Sequence, residues 1–273
     1  MSESSKTQYD RDGYTVARGL FTATEVDGLR EHYMTLRQRG SYADDVVGVD
    51  TRSRDPLKRY PRMAQMHRWD ETSLRWLLDT RLRRQLTNLL GAEPFAVQTM
   101  LYFKPPGSRG QAVHQDNFYL KAEPGTCAAA WMALDRADTE NGCLLVVPGS
   151  HRWPILCTAK ADTATSFTDV TVPLRSHTTV PVVLEPGDVL FFHGSLVHGS
   201  APNVTPDRFR RALIGHYVTG EATRVAEYYH PALRMDGTQL TLDVAEGGGP
   251  CGEWTDTGEL ALTGTQTISR KHE

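Results

Sequence analysis

Phe95-Ala96-Val97-Gln98-Thr99-Met100-Leu101-Tyr102-Phe103, followed by Lys104-Pro105-Pro106-Gly107, is the stretch on which the fold turns. Upstream of it, apolar residues recur at helical intervals. From Phe95 the period is two, as a strand requires, and the proline pair ends the run because it supplies no ladder N–H. Downstream, Cys127–Leu134 is a nearly continuous apolar run around Trp131, which reads as a buried strand. Leu144–Val147, Pro181–Leu184, Val189–Phe192 and Arg210–Val218 are further short strands between Gly/Pro turns. Such spacing predicts an all-β sandwich or barrel. Asp138-Thr139-Glu140-Asn141-Gly142 reads as a turn, with Asn141-Gly142 a hairpin signal. Arg152–Thr179 is polar and irregular.

Working back towards the N-terminus, Leu74–Leu90 reads as one helix stopped by Gly91. Thr22-Ala23-Thr24-Glu25 fits a capping box, and Val26, Leu29, His32, Tyr33 and Leu36 follow at helical spacing until Gly40. Tyr14–Leu20 reads as a short strand. Ser41–Pro56 is rich in Asp, Gly and Ser and reads as a loop, with the character of a mobile lid. Arg52, Arg54, Lys58, Arg59 and Arg62 follow it closely; they form either a solvated basic face or an anchor for an anionic group. The helical part spans about 22–91, the β core about 95–219 and a weakly patterned extension 220–273, all within one domain.

The 273 residues carry a net charge of −3, which gives no general attraction to nucleic acid or anionic membrane. No apolar run reaches membrane-spanning length. The first residues lack an apolar signal core and the last three are not a peroxisomal signal, so a cytoplasmic protein is expected. Cys127, Cys143, Cys157 and Cys251 show no metal-binding or framework spacing, so reduced thiols are expected, with Cys127 and Cys143 as small core residues. Oligomeric state is not specified.

Chemistry enters at Val113-His114-Gln115-Asp116-Asn117-Phe118. On an extended segment His114 and Asp116 share a face and Gln115 points away. A neutral imidazole and a carboxylate are two thirds of the facial triad that holds non-haem Fe(II) and leaves coordination positions open. With 10 His and 19 Asp in the chain, roughly 0.7 such His-x-Asp matches arise by chance, so the motif alone says little. A second His must come from elsewhere. His198 is favoured over His193, because Gly199 and Ser200 leave room beside it; His151 and His216 read as hydrogen-bonded structural or pocket residues. A 2-oxo acid chelating such a metal needs a fixed cation for its remote carboxylate, and arginine's planar fork suits it. Arg210 and Arg211 are adjacent on a strand, so only one can face inward.

The segments Met100–Gly107, His114-Gln115-Asp116, Trp131–Asp135, Asn141–Leu144, Pro148–His151, Pro186–Asp188, Phe191-Phe192, His198-Gly199-Ser200 and Phe209–Ala212 resemble, in this order, the phytanoyl-CoA dioxygenase family of Fe(II)/2-oxoglutarate oxygenases. The resemblance implies a mainly β fold, a double-stranded β-helix (jelly-roll, cupin-like) with N-terminal helices flanking it. It implies iron held by His114, Asp116 and His198. It implies 2-oxoglutarate held by Arg210 and Ser200, in a pocket lined by Trp131, Met100 and Gln98. The expected reaction consumes O2 and 2-oxoglutarate, releases succinate and CO2, and hydroxylates a small metabolite; cyclisation, desaturation or epoxidation would use the same site. The presence of Asp116 disfavours halogenation, which needs a small residue there. Tyr102, Lys104, Asn117 and His216 are candidate substrate contacts. Ser41–Arg62, Trp153–Thr179 and the tail after Gly220 are the expected pocket rim. A non-enzymatic metal-binding jelly roll is the rival reading.

Overall fold

The Phe95–Tyr102 strand lies within an eight-stranded sheet whose main order is Tyr14–Ala17, Val189–His193, Cys127–Ala133, Ala212–Val218, Phe95–Tyr102, Ala232–Leu233 and Gln239–Leu240, with Met63–Ala64 also paired to Phe95–Tyr102. The structure, a computed structural model, describes residues 4–40, 42 and 48–266. A four-stranded sheet, ordered Gln111–His114, His198–Ser200, Leu144–Val146 and Val180–Val182, faces the larger one. The pairings within both are antiparallel, and the chain alternates between them as a double-stranded β-helix does.

Alternation along Cys127–Ala133 explains why its sequence is apolar on both faces. Ala128, Ala130 and Met132 pack with Val26, Tyr33, Leu77, Leu82 and Leu86 of the covering helices. Ala129, Trp131 and Ala133 join Leu144, Val146, Leu190, Phe192 and Ile214 between the sheets. A strand buried on both sides shows no polar face. Ala23–Gln38 is fixed at its start by the Thr22/Glu25 capping box. The expected helix over Leu74–Leu90 is in fact two, Glu71–Leu77 and Thr80–Leu90. Asp79 starts the second by accepting the Arg81 N–H, a capping bond that competes with continuing the first helix.

Three other expectations are corrected. The Asp138–Gly142 turn exists, but it closes no hairpin: the strand before it pairs in the large sheet and Leu144–Val146 pairs in the small one. Gly142 (φ 80°) is there because a Cβ would lie 2.3 Å from the Ala201 carbonyl oxygen and 2.5 Å from Lys104 Cε. The weakly patterned extension carries short strands, among them the Gly249–Trp254/Leu260–Gln266 hairpin. Ser5–Asp12 is a helix that periodicity gave no reason to expect. Of the Ser41–Pro56 loop, residues 41 and 43–47, and with them the lid reading, lie outside the described residues.

Cys157 and Cys251 form a disulfide across 94 residues, contrary to the expectation of reduced thiols; Cys127 and Cys143 are buried and free, as expected. The bridge fastens the C-terminal hairpin to the Pro154–Cys157 segment, beside reciprocal backbone bonds between that segment and Gly252. Reduction with dithiothreitol is expected to lower unfolding stability by about 2–4 kcal/mol, because it releases a long loop in the unfolded chain. Thermal unfolding with and without reductant measures this, and a transition unmoved by reductant would contradict it.

Candidate metal centre and acid pocket

His114 ends an edge strand of the smaller sheet, and His198 begins the neighbouring strand directly opposite it. Their rings lie 4.3 Å apart between centroids. Asp116 joins them by a route other than the expected one. It is not extended but helical (φ −64°, ψ −36°), at the start of the turn Asn117–Leu120, and this bend brings its carboxylate back towards His114. Asp116 Oδ1 is 3.3 Å from His114 Nε2 and 3.6 Å from His198 Nε2. The three donor atoms lie within 4.8 Å of one another and all three residues are buried. Gln115 does point away: its amide donates to the Ser195 and Pro154 carbonyls and its oxygen accepts the Leu156 N–H.

Hydrogen bonds fix which atoms are available. His114 Nδ1 is 2.9 Å from the Ala112 carbonyl, and His198 Nδ1 is 3.0 Å from the Leu196 carbonyl. A carbonyl only accepts, so each Nδ1 carries the proton and each Nε2 is the atom left for a metal, with the Gln111 side-chain amide 3.3 Å from that of His114. His216 Nε2 donates to Asp116 Oδ2 at 3.2 Å, which leaves Oδ1 to the two imidazoles. Burial alone would raise the Asp116 carboxyl, but His198, His114 and His216 outweigh it and hold the group well below the usual range. Burial, partly offset by Asp116, pushes His198 down to about 4, so its ring is neutral at ordinary pH. One anion and two neutral nitrogens on one side of a cavity suit a divalent iron with open positions, whereas a structural zinc closes with four ligands.

A cavity of about 500 Å³ opens from these donors, a size suited to small-molecule ligands. Gln98, Met100, Tyr102, Trp131, Ser200, Arg210 and His216 line it. Arg210 is buried, its guanidinium 5.2 Å from the Trp131 ring centroid; Nε donates to the Gly142 carbonyl, while Nη1 has no hydrogen-bond partner. Burial lowers its pKa to about 10. Arg211 faces the other way, in a two-pronged pair with Asp135 at 2.7 and 2.8 Å.

One candidate substrate contact does not reach the cavity. Asn117 does not line the cavity; its side-chain oxygen accepts the Ala122 N–H and closes the helical turn. Lys104 does line the cavity, with Nζ donating to Ser200 Oγ at 3.0 Å. His193 and His151 stand together, ring centroids 5.4 Å apart, away from the metal donors. Of the basic run, Lys58 and Arg62 reach the cavity while Arg52, Arg54 and Arg59 do not line it. Phe167 and Asp169 of the expected Trp153–Thr179 rim and Tyr228 of the tail after Gly220 line it, and so do Gln111 and Tyr119, which sequence reading does not single out. Only proximity in the fold identifies them, since none belongs to a spaced motif.

The family model described as phytanoyl-CoA dioxygenase (PhyH) matches residues 9–212. Phytanoyl-CoA dioxygenase 1 of Oryza sativa subsp. japonica is 32% identical over 160 residues, covering 57% of this chain and 56% of that protein. The peroxisomal phytanoyl-CoA dioxygenase of Bos taurus is 25% identical over 231 residues, covering 80% of this chain and 68% of that one. Among solved structures, EctD from S. alaskensis with 2-oxoglutarate and 5-hydroxyectoine superposes with a TM-score of 0.63 at 26% identity, covering 80% of this chain and 76% of the other. The epimerase SnoN, in complex with Fe3+, alpha ketoglutarate and nogalamycin RO, shares the fold with a TM-score of 0.62 at 24% identity, covering 80% and 84%. A jelly roll, a buried His-Asp-His cluster and a match over most of its length place this chain in the phytanoyl-CoA dioxygenase family of Fe(II)/2-oxoglutarate-dependent oxygenases.

Proposed function

We propose that this chain, as a single domain, oxidises a small-molecule metabolite, most simply by hydroxylation, with 2-oxoglutarate and O2 as co-reactants. The observation that carries the reading is the pairing, in one cavity, of the His114/Asp116/His198 cluster with an arginine whose buried Nη1 has no partner. Iron bound there supplies the O2-dependent oxidation and decarboxylation. The protein's part is to bind and orient. His114 and His198 present Nε2, and Asp116 contributes one oxygen while His216 occupies the other. Arg210, with Ser200 beside it, offers a fork to the remote carboxylate of the diacid. Trp131, Met100 and Gln98 wall that end, and burial there excludes water.

The substrate end is lined by Tyr102, Tyr119, Phe167 and Tyr228, with Arg62 and Asp169 as charged groups. Ring faces and hydroxyls suit a compact metabolite with both apolar and polar parts. Cyclisation, desaturation and epoxidation draw on the same residues, and product analysis distinguishes them. Among the described residues no helix is long and apolar enough to cross a membrane. Cytoplasmic location belongs to the same proposal.

Under argon, Fe(II) and 2-oxoglutarate added together are expected to produce a visible iron–keto-acid charge-transfer band. One member of a metabolite panel should then stimulate succinate release in air. Folded protein that gives no band would sink the reading.

A further inference from the structure

Among the described residues, the Arg210 end of the cavity holds two basic side chains with no carboxylate paired to either. Lys104 is 3% exposed and Arg210 also 3%. The backbone ties them: Arg210 N–H donates to the Lys104 carbonyl at 3.1 Å, and the Asn203 amide donates to the same oxygen at 3.0 Å. Lys104 is left-handed (φ 38°), which non-glycine residues seldom adopt, and its stem runs against Gly142. Ser200 Oγ, from the smaller sheet, accepts from Nζ; Arg210 disfavours its charge; the Cys143 thiol, and Tyr102 beside Arg210, are further titratable groups. The nearby carboxylates are committed elsewhere, Asp135 to Arg211 and Asp138 to Arg208.

Burial and a neighbouring guanidinium both disfavour the charged form of this lysine. Burial, with Arg210 adding to it, holds Lys104 well below the ordinary value of 10.5. A buried ammonium without an anion costs several kcal/mol, and releasing the proton is the cheaper state. Arg210 stays charged in the same surroundings because guanidinium holds its proton far more tightly.

We propose that Lys104 is a second, proton-accepting cation of the acid seat: neutral in the empty cavity, it takes up one proton from solvent when a dicarboxylate binds and then pairs with that ligand's distal carboxylate beside Arg210. The inference rests on the proposed 2-oxoglutarate reading. The proton balance is simple: amine, solvent proton and carboxylate become an ammonium–carboxylate pair, and no bond to carbon changes. Between the free and bound titration points of Lys104, affinity falls roughly tenfold per pH unit as pH rises.

The test is calorimetry of 2-oxoglutarate binding to Fe(II)-loaded protein under argon, in buffers of different ionisation enthalpy between roughly pH 7 and 9. Wild type should take up about one proton per acid bound, and its dissociation constant should rise with pH. Lys104→Met should bind the acid roughly tenfold to hundredfold more weakly, keep the charge-transfer band at saturation and take up no proton. A band with binding enthalpy independent of buffer, or equal proton uptake in Lys104→Met, overturns the inference. Absence of a band in wild type would instead overturn the functional reading. The wild-type series decides the matter alone if Lys104→Met does not fold.

Discussion

Asp116→Ala protein is expected to fold, to lose the iron–keto-acid band and to release no succinate. The carboxylate is the sole anion in the cluster, and three histidines are arranged around it. Changing groups that merely support metal ligands costs about 10–100-fold in affinity, so removing the charged ligand itself should exceed ~100-fold. The apo protein should also lose some stability at neutral pH, because a carboxylate held below its usual pKa in the folded state stabilises that state while ionised. His216 Nε2 alone loses a hydrogen-bond acceptor. This split between intact folding and lost metal binding is the diagnostic. Equilibrium Fe(II) binding with thermal unfolding of the apo form resolves it, and near-normal iron affinity would remove Asp116 from the centre.

The second large effect separates two adjacent arginines. Arg210→Leu should weaken 2-oxoglutarate binding by roughly 100- to 1000-fold, since stranding a buried charge of a pair costs about 2–5 kcal/mol. Arg211→Leu should leave cosubstrate affinity within a few-fold and act on stability instead, through the loss of its Asp135 bonds. Titration of the charge-transfer band in both variants provides the comparison. Equal losses at the two positions would mean the cavity side has been misassigned.

The strands of the core were legible in the sequence because burial on one or both faces imprints a pattern on every second residue. Their partners were not. Asn141-Gly142 looks like a hairpin in isolation, yet the chain there crosses from one sheet to the other, and turn residues do not encode destination. His114 and Asp116 were paired for the wrong local reason. The extended geometry expected from alternation would have worked, but the chain bends at Asp116 to reach the same result. Lys104 illustrates a deeper limit: its type and its Pro-Pro context suggest a turn, and only the third dimension sets it next to Arg210. The Cys157–Cys251 bond was invisible because a hairpin with little apolar periodicity carries one partner back across 94 residues.

His114 and His198 face one another across a single rung at the margin of the smaller sheet. An ion gripped by both is therefore a rivet as well as a reagent: it fastens an edge strand that few backbone bonds secure. Loss of such an ion would free that edge strand as well as remove the chemistry the ion would supply.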